Sequence, residues 1–498
     1  MATNAWFRVY PPEPDENLDQ MRTNPGTKNM PRRNSAPITY FYLMFSISLL
    51  KKIVKETNRY ANQVIQKKIR EHTYHASSRL RLWTKLGKLT LAELKGFLAT
   101  IFNMGIVRKP TIPMYWVKRS SQQTIWFRKI FSRNRFQLIL RFFHLVDNRK
   151  TPQRNSDHYN PAAWFKPIVD HANMQFKRYY TPNRELSIDE SLVGTKARTV
   201  MTQNIPTKAH KFGIKLWMLV EATSGYIIHF LPYRGKRYDP VPANDTQGSH
   251  IVKKLMTEAD LFHKNYHVFC DNFFTSIPLV RHLKTLRTYF TGTLRANRQM
   301  PESLRNPQLR ENESLFIRQR EIMCVAYKER QNRTTVRFVT SAVKASTPAH
   351  GHKPVVSTVY SKYMGGFDLN DMMSGIYDDK RKTKTMWKRL AINIFHRMVL
   401  KAYILYTKNT DGKLLSRLEF IQSVIDALAA EQIENRQHRD RNVPAANRPQ
   451  RIEKLERGKQ KNCIVCSRFN QRRRASTKCG KCNKGIHGMC FNQHVCEE

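Results

Sequence analysis

Acidic residues are scarce in this chain. Asp and Glu number 38 against 87 Lys and Arg, a formal net charge of +49 over 498 residues with a pI near 10.3. An imbalance spread over the whole length points to a polyanionic partner, because phosphates neutralised by Lys and Arg release condensed counterions. Long apolar runs are also missing. The most apolar early stretch, Phe41 to Leu50, covers ten residues, short of the roughly 20 that a membrane-spanning helix needs. It also lies behind a polar stretch, too far from Met1 for a secretory signal. Cysteine is nearly absent from the body of the chain: six of the eight fall in the last 36 residues. That clustering argues against a disulfide framework and for metal in a reducing compartment. What is present suffices for folding, with 40% apolar and 11% aromatic residues, and the length allows two to four domains.

Residues 1–37 are Pro- and Asn-rich without periodicity and read as a flexible lead-in. Helical patterns dominate 38–183. Ile53, Thr57, Tyr60 and Val64 recur at helix spacing, Thr90 with Glu93 forms a capping box, and Ser132 is placed to cap a helix carrying Phe136, Ile139, Leu140 and Phe143. From 184 to 294 the pattern becomes mixed α/β. Glu185–Glu190 reads as a strand, and Phe212–Ala222 and Tyr226–Pro232 as a hairpin turning at Thr223-Ser224-Gly225. Tyr266–Cys270 and Thr288–Leu294 are further strands, with a helix between them capped by Thr275 or Ser276. Residues 295–355, polar, Arg-rich and broken by Pro, with short strand-like pieces such as Ile322–Tyr327, read as an insertion or elaborated loop. Residues 356–378 return to the α/β core, and 379–435 are helical, with a stripe of Leu414, Leu418, Ile421, Ile425 and Leu428. A basic linker (436–460) leads into a cysteine-rich segment (461–498). From 436 to 474 there are 13 Lys/Arg against 3 Asp/Glu.

Three acids sit where elements begin or end: Asp189 in the first strand of the α/β block, Asp271 directly after Val268-Phe269-Cys270, and Asp368 beyond Gly365-Gly366 at an expected helix start. Asp371 follows one turn later on the same helix face. Two carboxylates from strands and one from a helix can hold two divalent cations, and hard Mg²⁺ prefers such oxygen ligands. Taken singly, Asp368 also reads as a helix cap and Asp271 as a turn residue.

Ser187-Ile-Asp-Glu-Ser191, Cys270-Asp-Asn-Phe-Phe-Thr-Ser276 and Gly365-Gly-Phe-Asp-Leu-Asn-Asp371 resemble, in order and separation, the three catalytic blocks of piggyBac-type transposases. Thr57-Asn-Arg-Tyr-Ala61 and the basic segment Pro206–Lys215 are similar to further family segments, so the likeness runs from about residue 38 to the C-terminus. The resemblance implies an RNase H-like α/β core with an insertion, flanking all-α DNA-binding and dimerisation regions, and a small C-terminal cross-brace zinc domain. It implies Asp189, Asp271 and Asp368 as ligands of two catalytic Mg²⁺ ions, with Asp371 a fourth important acid. Lys196, Arg198, Lys208, Lys211, Lys215 and Trp387 fall where family residues approach DNA. Lys196 departs from the more usual arginine and lacks its bidentate fork. The implied activity is nicking, hairpin formation and strand transfer at TTAA sites by a nuclear homodimer acting on double-stranded DNA. The alternative is a domesticated, sequence-specific DNA-binding protein that no longer cuts.

The tail offers four ligand pairs: Cys463/Cys466, Cys479/Cys482, His487/Cys490 and His494/Cys496. Thiolate and imidazole suit Zn²⁺, eight ligands fill two tetrahedral sites, and so short a segment has too little core to fold unaided. A cross-brace would place Cys463, Cys466, His487 and Cys490 on one ion and Cys479, Cys482, His494 and Cys496 on the other; sequential pairing is the alternative. By resemblance the segment reads the element's terminal repeats, with Arg472, Arg473 and Arg474 available for phosphates.

Overall fold

The computed structural model describes residues 5–14, 18–75, 78–206, 208, 211–348, 351–379, 383, 385–441, 451–494 and 496. Two compact units are formed, residues 1–429 and 430–498. The first is built on a mixed sheet of ten strands: β1 (Phe7–Val9), β2 (Glu185–Gly194), β3 (Thr202–Asn204), β4 (Phe212–Glu221), β5 (Ile227–Pro232), β6 (His267–Cys270), β7 (Tyr289–Thr293), β8 (Glu313–Gln319), β9 (Ile322–Lys328) and β10 (Val336–Thr340). Their order is β1-β8-β9-β10-β7-β6-β2-β4-β3, with β5 also on β4. Only β2–β6 and β6–β7 are parallel pairs. All four residues of β6 are buried, as expected of a short central strand covered on both faces. The β4–β5 hairpin turns where the sequence predicts, with Gly225 at φ +64°, a left-handed position that glycine enters at little cost.

Helices form around this sheet: α1 (Pro37–Met44), α2 (Ile47–Arg70), α3 (Leu91–Ile106), α4 (Arg133–Phe142), α5 (Lys166–Tyr179), α6 (Gln247–Ala259), α7 (Ile277–Thr285), α8 (Val355–Ile376), α9 (Met386–Lys408) and α10 (Arg417–Arg441). The capping box of α3 is present in both directions, Ser132 caps α4 and Ser276, not Thr275, caps α7. Glu93 has a second role that the sequence does not advertise: both its oxygens take hydrogen bonds from buried Arg135, at 2.8 and 2.6 Å. The apolar run Phe41–Leu50 is split between α1 and α2, whose axes differ by 62°. Among the described residues no single helix is long and apolar enough to cross a membrane.

Two expectations are corrected and one is sharpened. The lead-in is not loose where it is described: β1 pairs with β8, Gly26–Thr27 pairs with Tyr180–Thr181, and Asp19 accepts a 2.8 Å hydrogen bond from Tyr289. The 295–355 insertion is not a loop: its strand-like piece Ile322–Tyr327 is β9, and β8, β9 and β10 extend the sheet outward from β7 over a core of Phe316, Met323, Val325 and Phe338. Asp368 does not start a helix but lies deep inside α8, because Gly365 and Gly366 are helical. The physical reason is close packing. A Cβ on Gly366 would come within 2.1 Å of the Ala222 carbonyl oxygen, so glycine lets α8 lie against the end of β4. Gly366→Ala is expected to cost about 1–3 kcal/mol, the usual penalty for overpacking, read as a lower urea midpoint at unchanged m-value.

An aromatic cluster joins α2, α4 and α9. His144 stacks on Tyr60 at 4.0 Å and meets Trp164 and Trp387 edge-on. Burial brings its pKa down to about 4, against the opposing hydrogen bond that its Nε2 donates to Asn148 Oδ1. The neutral ring is therefore the folded form. An unfolded histidine titrates near 6.5, so this contribution is complete above that pH and is lost as pH falls from there towards 4. The melting temperature of wild type should drop more steeply over that window than that of His144→Gln.

Candidate active site and metal-binding module

The parallel pairing of β2 with β6 ends at Ile188 and Cys270, so Asp189 and Asp271 are the next residues on adjacent strands. Their carboxylates face a common space. Burial pushes the Asp189 carboxyl up to about 8, helped by the charges of Glu190 and Asp271 and opposed by the Glu190 amide and Lys208. Burial likewise raises Asp271, although the amides of Phe273 and Phe274 and the charges of Arg295 and Lys208 oppose it. Two neighbouring, partly desolvated carboxylates are the environment a divalent cation relieves. The donor set, carboxylate oxygens alone, fits Mg²⁺.

Asp368 is exposed on α8, one turn before Asp371. Among the described residues its carboxylate does not join Asp189 and Asp271 in a set whose ligand atoms all lie within 4.8 Å. Asp371 is differently employed: it accepts from Ser191 Oγ at 2.8 Å and from Arg397 at 3.2 Å. The fourth acid is thus neutralised inside the protein. Tyr360, on the first half of α8, had no sequence signal. Its phenol hydrogen-bonds Thr293 and senses the charges of Asp271 and Asp189; burial is the main reason its pKa is raised.

The basic residues divide. Lys196 and Arg198 are exposed and line a groove of about 1350 Å³ together with Arg154, Tyr159, Trp164 and Tyr238. Lys211 is exposed, and Lys208 donates to the Glu190 carbonyl at 3.3 Å. Thr207, Ala209 and His210 of the same basic segment lie outside the described residues. Lys215 turns inward, 4.4 Å above the Trp217 ring, and burial lowers its pKa although Glu190 and Asp189 pull the other way. Trp387 lines the same groove; it is 9% exposed and stacks on Phe143 and Trp164 at 6.0 and 6.4 Å, so most of its ring is packed against neighbouring aromatics.

In the C-terminal unit, Ile452–Lys454 pairs with Thr477–Cys479 and Lys461–Asn462 with Arg474–Ala475. These ribbons bring the ligand pairs together as a cross-brace: Cys463, Cys466, His487 and Cys490 form one set, Cys479, Cys482, His494 and Cys496 the other. Sequential pairing is excluded. Cys466 Sγ lies 3.4 Å from His487 Nδ1 and 3.7 Å from Cys490 Sγ; Cys482 Sγ lies 3.2 Å from His494 Nε2. His487 Nε2 sits 3.0 Å from the Arg474 carbonyl. Donating there fixes the tautomer and leaves Nδ1 as the ligand atom. Burial works against the Cys463 thiolate, but the amides of Cys466, His487 and Val465 outweigh it and bring its pKa down to about 6. Arg472, Arg473 and Arg474 are exposed. Residues 442–450 of the basic linker lie outside the described residues. Cys270 and Cys324 are buried and free.

Comparison with known proteins adds to this geometry. The family described as Transposase IS4 matches residues 36–403. Human PiggyBac transposable element-derived protein 3 is 24% identical over 440 residues, covering 82% of this chain and 71% of that protein. Human PiggyBac transposable element-derived protein 2 is 25% identical over 289 residues, covering 57% and 44%. Among solved structures, the piggyBac transposase synaptic complex with hairpin DNA is similar with a TM-score of 0.75 and 25% identity, covering 93% of this chain and 97% of that one.

Proposed function

Because the chain belongs to the piggyBac type of the IS4 transposase family, we propose that it is a nuclear enzyme that cuts and rejoins double-stranded DNA at TTAA sites as a homodimer. The observation that carries this reading is the pair of partly buried, mutually repelling carboxylates, Asp189 and Asp271, placed where the parallel pairing of β2 with β6 ends. With Asp368 they would hold two Mg²⁺ ions. Bound there, the ions would supply an activated oxygen nucleophile and stabilise the leaving oxygen of an in-line displacement. The protein's own groups do the rest. Lys196 and Arg198, exposed beside β2, would hold phosphates, Lys208 and Lys215 would temper the charge around the acids, and Arg472, Arg473 and Arg474 would track the backbone of the element's ends. The two Cys₃His sets would each take a structural Zn²⁺.

Several relatives carry names that mark them as transposable element-derived, and a DNA-binding protein without cleavage is the rival reading. The intact acidic pair favours the enzyme, since a chain selected only for binding has no use for two carboxylates that destabilise each other. The deciding experiment incubates zinc-loaded protein with element-end DNA flanked by TTAA, with Mg²⁺ or with chelator. Mg²⁺-dependent nicks and hairpins are the expected products. Tight, specific binding with no strand breakage in Mg²⁺ or Mn²⁺ would establish the rival.

A further inference from the structure

The described residues gather four basic side chains on the second half of α8. Arg397, 4% exposed at its side chain, donates to Asp371 Oδ1 at 3.2 Å and to Ser191 Oγ at 2.7 Å. Lys401, one turn further along α9 and fully buried, donates to Asn370 Oδ1 at 2.8 Å and to the Gly225 carbonyl at 2.6 Å. Arg108, after α3, donates to the Ile376 carbonyl, and Arg417, on α10, to the Met373 carbonyl. The last two meet the unpaired carbonyls at the C-terminal end of α8, where cations are favoured. Of the four, Arg397 and Lys401 are buried, Arg417 is partly buried and Arg108 is exposed; burying the first two is costly unless each is hydrogen-bonded, and both are aimed at the same helix.

Strand and helix geometry say what the grip accomplishes. Ser191 lies two residues after Asp189 on β2, so the two side chains share a face of the strand. Asp368 lies three residues before Asp371 on α8, so the two share a flank of the helix about 5–6 Å apart. The Ser191–Asp371 hydrogen bonds, 2.8 and 2.9 Å, are therefore a rung joining the element that carries Asp189 to the element that carries Asp368. The other end of the helix supports the alignment: Tyr360, on the same flank, senses Asp271 and Asp189. Asp368 lies along α8 between these two fixed points. We infer that Arg397 and Lys401 are positioning residues for the third carboxylate, and that Asp371 is the anchor through which Arg397 acts and not a metal ligand. The inference rests on the catalytic reading of Asp189, Asp271 and Asp368 given above. It also separates the roles of two acids that sequence alone groups together.

The test uses the zinc-loaded full chain and Mn²⁺, titrated by electron paramagnetic resonance without DNA, so that no cleavage substrate is needed. Asp271→Asn controls for the site: if it binds Mn²⁺ as wild type does, the catalytic reading falls and this inference falls with it. Given a working site, Arg397→Met and Asp371→Asn should each weaken Mn²⁺ binding about 10- to 100-fold, the usual cost of losing a group that orients a ligand. Arg397→Lys should recover part of the loss and Ser191→Ala should show a smaller one. Hydrogen exchange across 363–373 in the metal-free protein should speed up in Arg397→Met, while the helix α3 amides keep their protection. Wild-type Mn²⁺ affinity in folded Arg397→Met, or a loss in Asp371→Asn as large as in Asp368→Asn without any in Arg397→Met, overturns the inference. The latter pattern would make Asp371 a ligand.

Discussion

Asparagine in place of Asp271 is expected to lower Mg²⁺-dependent strand cleavage by on the order of 10³-fold or more, a loss of about 4 kcal/mol of transition-state stabilisation. Asparagine keeps the shape and can still accept from the Phe273 amide, whose hydrogen bond to Asp271 Oδ1 is 2.9 Å, so the turn after β6 should hold. What disappears is one of two negative charges in a partly buried space. The same substitution removes a lesser contribution, behind burial and the charge of Glu190, to the Asp189 pKa of about 8. Cleavage and DNA affinity should therefore part company: affinity stays level or rises, because a carboxylate that repels phosphate is gone, while turnover collapses. Single-turnover cleavage beside fluorescence-anisotropy binding measures both. A variant that binds more weakly and cuts in proportion would mean that Asp271 serves the fold or the DNA grip instead of the chemistry.

Stripping zinc is expected to unfold the C-terminal module outright. Structural zinc contributes about 10–16 kcal/mol per site in small modules, and the apolar interior left without it is slight: Val465, Ala475 and Ile486, with the cysteines themselves. Cys466→Ser should lower bound zinc from two ions per chain towards one, and chelation should remove both. In either case amide protection across 452–494 is lost and element-end recognition goes with it. Residues 1–429 form their own compact unit, so their calorimetric transition should survive at nearly the same temperature. A single transition that shifts as a whole when zinc is withdrawn would contradict the two-unit structure.

How far the sequence reached depended on how local the determinants were. The cap at Thr90, the turn at Gly225 and the strand ahead of Asp271 are written in neighbouring residues and were legible as they stood. The zinc pairs were legible as pairs, but their partnering needed the ribbons that fold 452–454 onto 477–479. Gly365-Gly366 reads locally as a helix breaker, whereas the fold uses Gly366 for contact with Ala222, 144 residues earlier in the chain; nothing local distinguishes the two uses. Pairing of the edge strand Phe7–Val9 with β8 was hidden for the same reason, and apolar Ile322–Tyr327 was legible as a strand while its place in the sheet was not. Arg397 and Lys401 did leave a trace. Two cations four residues apart inside the apolar stretch Leu390–Leu405 are out of place on a buried helix, and a buried charge asks for a partner.

The rung between Ser191 and Asp371 spans 180 residues of chain, and the bond from Arg397 back to Ser191 spans 206. During synthesis, therefore, the strand bearing Asp189 exists long before the helix that must complete it, and both wait for α9. Contacts this distant form late, after loop-closure entropy has been met. A ribosome-bound or prematurely terminated chain ending before Arg397 can hold the first two acids and the basic groove, yet has nothing to seat the third. On the proposed function, a product ending before Arg397 would bind DNA without cutting it.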